Sequence, residues 1–501
     1  MNRREMTDQE GRPFRENDRP RFYTAGRIII YALVFLFLAS YYYWQCGREW
    51  GDPWHCWNIF KSTRWGPYGD LPEAFNHHSV SLLIPTDPKL ALASNPYDPA
   101  TRLKGTEVMW DYSYFKGKYY LYFGPVPALL FCCPWDYLTG GKPSENLVMF
   151  VPCLASLILF FVLLRTLVTR YFHRVPIWIE CFLFILYAFT NLLPYLSGRP
   201  GMYDIAIGFG VAFTLCFFVM MLQAVHEERH RWFWLMLASL SVGLAAGSRP
   251  TAIFLYCILG LYWVFLHRNL KLTTAFFKDM AAIAIPAVIA ASALLWYNYA
   301  RFQNPFSCGR EMVMNNGDVI FTPTFELRNI PDGIWSYYFM PWRIDPDFPW
   351  VGMVTLDAHL PWIYLPERGR QEYTGLLVSS PVVLMGFVWF LYACKLSVAR
   401  KGPAMIFGAM ISGWWIFLTL VLCGFYAIIA RYEIELQLPL LIMTSLTLLA
   451  RRNLGPFHLW ERVVLFVLFV YSCYFGFAWG LIGENYWIQE VMQRYHHLRG
   501  Q

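Results

Sequence analysis

The chain has 501 residues, of which 57% are hydrophobic, 19% aromatic and only 15% charged, with a net charge of +7 and a mean hydropathy of +0.35. That composition excludes an ordinary soluble domain, because it strings together many near-uncharged stretches of about 20 residues, the length that crosses a roughly 30 Å hydrocarbon layer. The positive balance falls in the short connections between those stretches and gives no argument for nucleic acid.

The polar tail 1–27 comes first and carries Arg3, Arg4, Arg12, Arg15, Arg19, Arg21 and Arg27. It reads as a disordered orientation signal held in the cytoplasm. The apolar run 28–46 is long enough to span and no small-residue cleavage pattern follows it, so it is not a removable signal peptide. Ten more runs read as spans: 147–168, 177–197, 204–225, 232–247, 251–267, 280–299, 374–395, 404–428, 432–450 and 462–482. The expected fold is an all-α polytopic membrane protein of about 11 transmembrane helices in a single membrane domain, 28–482.

Basic connections set the orientation. Arg165–Arg174, His226–Arg231, His267–Lys271 with Lys278, Lys395–Lys401 and Arg451–Arg462 all fall on the cytoplasmic side in an alternating count. That count requires the stretch Phe123–Leu138 not to span. It is short, carries Asp136 and is broken by Pro125, Pro127 and Pro134, so it is expected to lie as an interfacial helix on the outer leaflet. Two large outer segments result, 47–146 and 300–373, and the tail 483–501 is also extracytoplasmic. A segment as long as the first needs a job.

The twelve cysteines mostly fall inside spans, where thiols behave as small apolar side chains. Cys46 and Cys56 are on the outer side and are candidates for a disulfide, with Cys308 a third. The sequence contains no Cys/His metal-ligand spacing, Gly-rich phosphate loop, catalytic Ser elbow or internal repeat.

Ionisable residues at the outer ends of spans are the informative ones, because charge near a membrane is costly unless it meets water or a partner. Asp52 follows the first span in Glu49-Trp50-Gly51-Asp52-Pro53. Arg199 and Asp204 bracket Pro200-Gly201-Met202-Tyr203 before the fourth. Arg249 lies in Gly247-Ser248-Arg249-Pro250, Arg310 ends the stretch that begins at Asn298, and Arg431-Tyr432-Glu433-Ile434-Glu435 opens the tenth. Cations and carboxylates on one face suit an anionic lipid head group: arginine binds phosphate through a planar fork, and a carboxylate accepts a proton.

With those residues in view, the order of parts resembles the GT-C superfamily of integral-membrane glycosyltransferases, which includes protein O-mannosyltransferases and lipid A aminoarabinose transferases. The segment Asp111–Leu130, the Gly-Ser-Arg-Pro turn at 247–250, the stretch Asn298–Arg310 and Arg431-Tyr432 resemble a bacterial, mostly uncharacterised branch of it. The resemblance implies a GT-C-like fold in a bacterial inner membrane, with the active site on the extracytoplasmic face. It also implies transfer of a sugar, with inversion, from a polyprenyl-phosphate donor to a glycan, lipid or protein acceptor.

The family's base is an acidic residue just beyond the first span. Asp52 fills that position, although Pro53 follows it where many members have Glu; Asp111 and Glu49 compete with it. Arg249, Arg431, Arg199, Arg310 and Lys118 are the expected contacts to the lipid phosphate, with Lys116 within reach of a head group. Tyr114, Tyr119, Tyr122, Tyr203, Asp204, Tyr432 and Glu435 are expected to line the substrate pocket. A divalent cation is a possible cofactor, and the sequence names no metal ligand. Two other classes stay open, a transporter of lipid-linked glycans and a non-catalytic membrane assembly factor.

Overall fold

Each of the eleven apolar runs is helical in the computed structural model. The model describes residues 25–49, 52–56, 59–61, 66–173, 175–269, 271–314, 325–345, 348–353, 369–370, 373–395, 402–425 and 427–482, with backbone alone for 49, 52–56, 61, 369–370, 393–395 and 482. After α1 (Ala25–Gly47), the first outer segment forms the antiparallel pair β1 (Arg48–Glu49) and β2 (Asp52–Cys56), α2 (Pro67–Asn76) and the hairpin β3 (Ser113–Phe115) with β4 (Lys118–Tyr120). A helical stretch closes it, a π-turn over Ala128–Cys132 running into α3 (Cys133–Thr139).

The bundle continues with α4 (Glu145–Tyr171), α5 (Ile177–Thr190), α6 (Leu193–Ser197), α7 (Met202–His226), α8 (Arg231–Ala246), α9 (Leu255–Leu266) and α10 (Thr274–Phe302). The second outer segment supplies α11 (Ile330–Ile334), the pair β5 (Arg343–Ile344) with β6 (Val351–Gly352), and β7 (Gly369–Arg370). Helices α12 (Leu376–Ser379), α13 (Leu384–Lys395), α14 (Pro403–Gly424), α15 (Glu433–Leu454) and α16 (Leu459–Ile482) complete the bundle, and β8 (Ala427–Ile428) pairs in parallel with β7. Helix α7 and the helix starting at Ala430 are its core, each 83% buried over its apolar window, whereas α10 is 11% buried and faces outward.

Among the described residues seven helices are long and apolar enough to cross a membrane, and four of the expected spans are shorter, at Ile177–Thr190, Arg231–Ala246, Pro250–Leu266 and Pro381–Tyr392. Two of the expected runs are interrupted. The run 177–197 breaks at Asn191-Leu192 ahead of Pro194, and the run 374–395 breaks at Ser380, whose non-helical backbone precedes Pro381. Inside lipid the freed backbone groups need partners. Gln437 of α15 serves both breaks: its Oε1 accepts from Leu192 N at 2.9 Å, and its Nε2 donates to Ser380 Oγ at 3.3 Å.

Arg165, counted by sequence with a basic connection, is instead buried within α4. There it pairs with Glu180 and donates to Tyr31 Oη at 3.0 Å, while Tyr31 donates to Glu180 Oε2 at 2.9 Å. Cys46 is a free thiol buried beside Cys153, not a partner of Cys56, whose side chain lies outside the described residues. The tails 1–24 and 483–501 also lie outside them.

The helical stretch Ala128–Thr139 is about 18 Å long by its rise, too short to cross. Its N-terminal approach is anchored by a close backbone contact: Val126 N donates to Gly247 O at 3.2 Å, and a Cβ on Gly124 would collide with the same carbonyl. Replacing Gly124 with Ala should therefore push the first outer segment off the end of α8, lowering stability by about 1–3 kcal/mol. The control Gly260→Ala, where a Cβ meets nothing, should leave the melting temperature of the detergent-solubilised protein unchanged.

Candidate functional site

The hairpin before that contact is stitched to the chain beyond α10. Asp111 N donates to Met314 O at 3.0 Å, Met314 N to Tyr112 O at 2.9 Å and Ser113 Oγ to Gly309 O at 2.7 Å. Asp111 is held at φ 64°, a left-handed conformation that a non-glycine residue adopts only when its surroundings over-determine it. Arg301, 2% exposed at the end of α10, donates to the carbonyls of Leu121 and Phe123, the latter at 3.2 Å, and so fixes the strand that carries Tyr122. Its own guanidinium is held by Asn298 Oδ1 at 2.7 Å and the Tyr297 ring at 4.1 Å.

This docking brings the loop against the first turn of α7. The Tyr203 hydroxyl faces the Asp111 carboxylate and Tyr122, and the Phe123 and Tyr122 rings meet its ring edge-on at 5.1 and 6.0 Å. The Arg431 guanidinium lies over the Tyr203 ring at 4.2 Å. Burial pushes the Asp111 carboxyl up to about 6, against the opposing pull of the Arg431 charge and the Tyr203 hydroxyl. The result is a proton acceptor poised near neutrality, the condition for general-base work.

Behind Arg431 the charges pair off. Arg249 forms an ion pair with Glu435, whose Oε2 also accepts from Thr251 Oγ1 at 3.0 Å, and its guanidinium stacks on Tyr432 at 4.4 Å. Arg199, 3% exposed, faces Asp204 at 3.7 Å and lies over Tyr195 at 4.1 Å. Among the described residues Arg431 has no carboxylate within ion-pair distance, and its Nε has no hydrogen-bond partner. A small apolar cavity of about 20 Å³ lies between α7, α14 and α15 beside this group, with Ile207, Thr214, Trp414 and Leu418 in its walls and Arg249 and Glu435 at one end.

The structure thus brings together Asp111, Tyr122, Tyr203, Asp204, Arg199, Arg249, Arg431, Tyr432 and Glu435. Other candidates fall elsewhere. Tyr119 is 1% exposed with its hydroxyl accepting from Met109 N, and Tyr114 packs edge-on against it at 5.6 Å, so both fill the hairpin's own core. Lys116 and Lys118 are exposed at the hairpin turn, Lys116 bonded to Gln303. Arg310 lies over the Phe425 ring at 5.3 Å. The backbone of Asp52 pairs with Glu49 in the β1–β2 ladder, and both side chains lie outside the described residues. No group of three or more His, Cys, Asp or Glu side chains gathers as metal ligands among the described residues. Sequence reasoning passed over Arg301 for Arg310, although both lie in the Asn298–Arg310 stretch; an Arg in the last turn of a helix reads first as a partner of the helix dipole.

No family model matches the sequence, and no curated protein does. Among solved structures, the chain is similar to the archaeal oligosaccharyltransferase AglB from Archaeoglobus fulgidus, in complex with an inhibitory peptide and a dolichol-phosphate. The TM-score is 0.47 and the identity 13%, over 91% of this chain and 56% of that one. It is also similar to ArnT from Cupriavidus metallidurans in the apo state (0.44, 12%, 92% and 77%) and bound to undecaprenyl phosphate (0.43, 10%, 95% and 78%). The chain spans little more than half the length of the archaeal protein.

The Arg249–Glu435 pair gives a direct check of this geometry. Glu435→Ala strands a mostly buried cation and should cost about 3–5 kcal/mol, while Arg249→Leu combined with Glu435→Leu should recover most of that loss in thermal unfolding. A fully stable Glu435→Ala protein would contradict the pairing.

Proposed function

We propose that this chain is a membrane glycosyltransferase that moves a sugar from a polyprenyl-phosphate donor to a hydroxyl on a glycan, lipid or protein, with inversion at the anomeric carbon. The reaction face is the loop-bearing end of the bundle, which is extracytoplasmic in the topology set by the basic connections. The observation that carries the reading is the arrangement around Tyr203, with a carboxylate tuned to about 6 on its hydroxyl and an arginine lacking a carboxylate partner over its ring.

In the proposed step Asp111 takes the proton of the acceptor hydroxyl as its oxygen bonds to the anomeric carbon. The bond from that carbon to the phosphate oxygen breaks, and its electron pair leaves with the polyprenyl phosphate. Arg431 meets the negative charge gained by the phosphate, and Arg249 and Arg199 add to the local field. Phosphate needs no proton to depart. The broken spans at Asn191 and Ser380 are the one feature that favours a transporter, since transporters place interrupted helices at their binding sites. Here Gln437 takes up the free Leu192 amide at one break and the Ser380 hydroxyl at the other, and the group around Tyr203 gathers at the loop-bearing end instead.

Purified protein in bilayer discs, given labelled polyprenyl-phosphate sugars and an acceptor extract with and without a divalent cation, tests the reading. Asp111→Asn should lose about 100-fold or more in turnover while still binding polyprenyl phosphate, and Asp52→Asn should keep most of its turnover. Wild-type kcat/KM should rise with pH through about 6 and level off above it, because the base acts only when ionised. Full turnover by Asp111→Asn would overturn the assignment.

A further inference from the structure

Tyr203 is tied to both halves of the proposed chemistry by different parts of one side chain. Its hydroxyl faces the Asp111 carboxylate, its ring face carries the Arg431 guanidinium at 4.2 Å, and its ring edge meets Phe123 at 5.1 Å. It is the second residue of α7, one of the most deeply buried helices, so its backbone is a fixed reference. Asp111, by contrast, is on a loop and in a conformation that needs support.

We propose that Tyr203 is the positioning residue of this site, setting the distance and relative charge of proton acceptor and phosphate-binding cation through its hydroxyl and its ring. The inference rests on the transferase reading above. The ionised carboxylate is favoured by Arg431, in the turn ahead of α15, and by the Tyr203 hydroxyl, while Tyr122 faces it from its own loop. Asp204 and Arg199 lie on the α7 side of Arg431, and Arg249 with Glu435 on the other. None of these second-rank charges touches Asp111, so removal of the Tyr203 hydroxyl alone acts on the base.

The test compares Tyr203→Phe with Tyr203→Leu in the disc assay, with melting temperature measured alongside. Tyr203→Phe keeps the ring and loses the hydroxyl dipole that favours the ionised base, so the midpoint of kcat/KM against pH should move up by roughly one unit. Its KM for the lipid donor should stay within about threefold of wild type. Tyr203→Leu also removes the ring under Arg431, and should raise the dissociation constant for polyprenyl phosphate by up to about tenfold. A structural role alone would lower the melting temperature and leave the midpoint in place, and that result overturns the proposal. An unmoved midpoint with an inactive Asp111→Asn protein defeats only the role of Tyr203; an active Asp111→Asn protein defeats the transferase mechanism itself.

Discussion

Burying an ion at the end of an apolar bundle costs several kcal/mol unless a partner repays it, and that constraint organises the loop-bearing end of this protein. Arg249 is repaid by Glu435, Arg199 by Asp204 and, deeper in the bundle, Arg165 by Glu180 and Tyr31. Arg431 departs from the pattern: it has the Tyr203 ring and the fields of Asp111 and Asp204, but no carboxylate at ion-pair distance among the described residues. An anion arriving there meets a cation that still lacks one.

The first outer segment is part of the same arrangement because its backbone is bound to the bundle at several points. Gly124 lies on the carbonyl of Gly247, Arg301 grips the carbonyls on either side of Tyr122, and Met314 holds Asp111 and Tyr112. These contacts hold Asp111 in its left-handed conformation with its residue surface partly exposed, and desolvation in turn lifts its carboxyl toward neutrality. Local strain, burial and proton affinity are therefore successive consequences of one docking event.

Hydrophobic runs made the helices legible, since long uncharged segments have one stable form in lipid. Helix lengths were less so: the breaks at Asn191 and Ser380 depend on Gln437, hundreds of residues from one and dozens from the other, which no local pattern encodes. Outer-end charges singled out Arg199, Asp204, Arg249, Arg431 and Glu435, because an ion near a membrane is conspicuous wherever it falls. The roles of the aromatic residues could not be divided the same way. Tyr114 and Tyr119 share a motif with Tyr122, yet strand alternation and the Arg301 grip send the first two into the hairpin core and the third toward Asp111. Sequence likewise leaned toward Asp52 by its place after the first span, whereas the case for Asp111 comes from burial and from Tyr203, properties of the folded chain alone.

In the proposed mechanism the Asp111 carboxyl exchanges its proton close to neutral pH. Infrared difference titration of the protein in bilayer discs, wild type minus Asp111→Asn, reads this directly. The expected result is a protonated-carboxyl band in the difference that fades as pH rises through about 6. A flat difference spectrum across that range, or a band gone by the ordinary carboxylate range near pH 4, would contradict it.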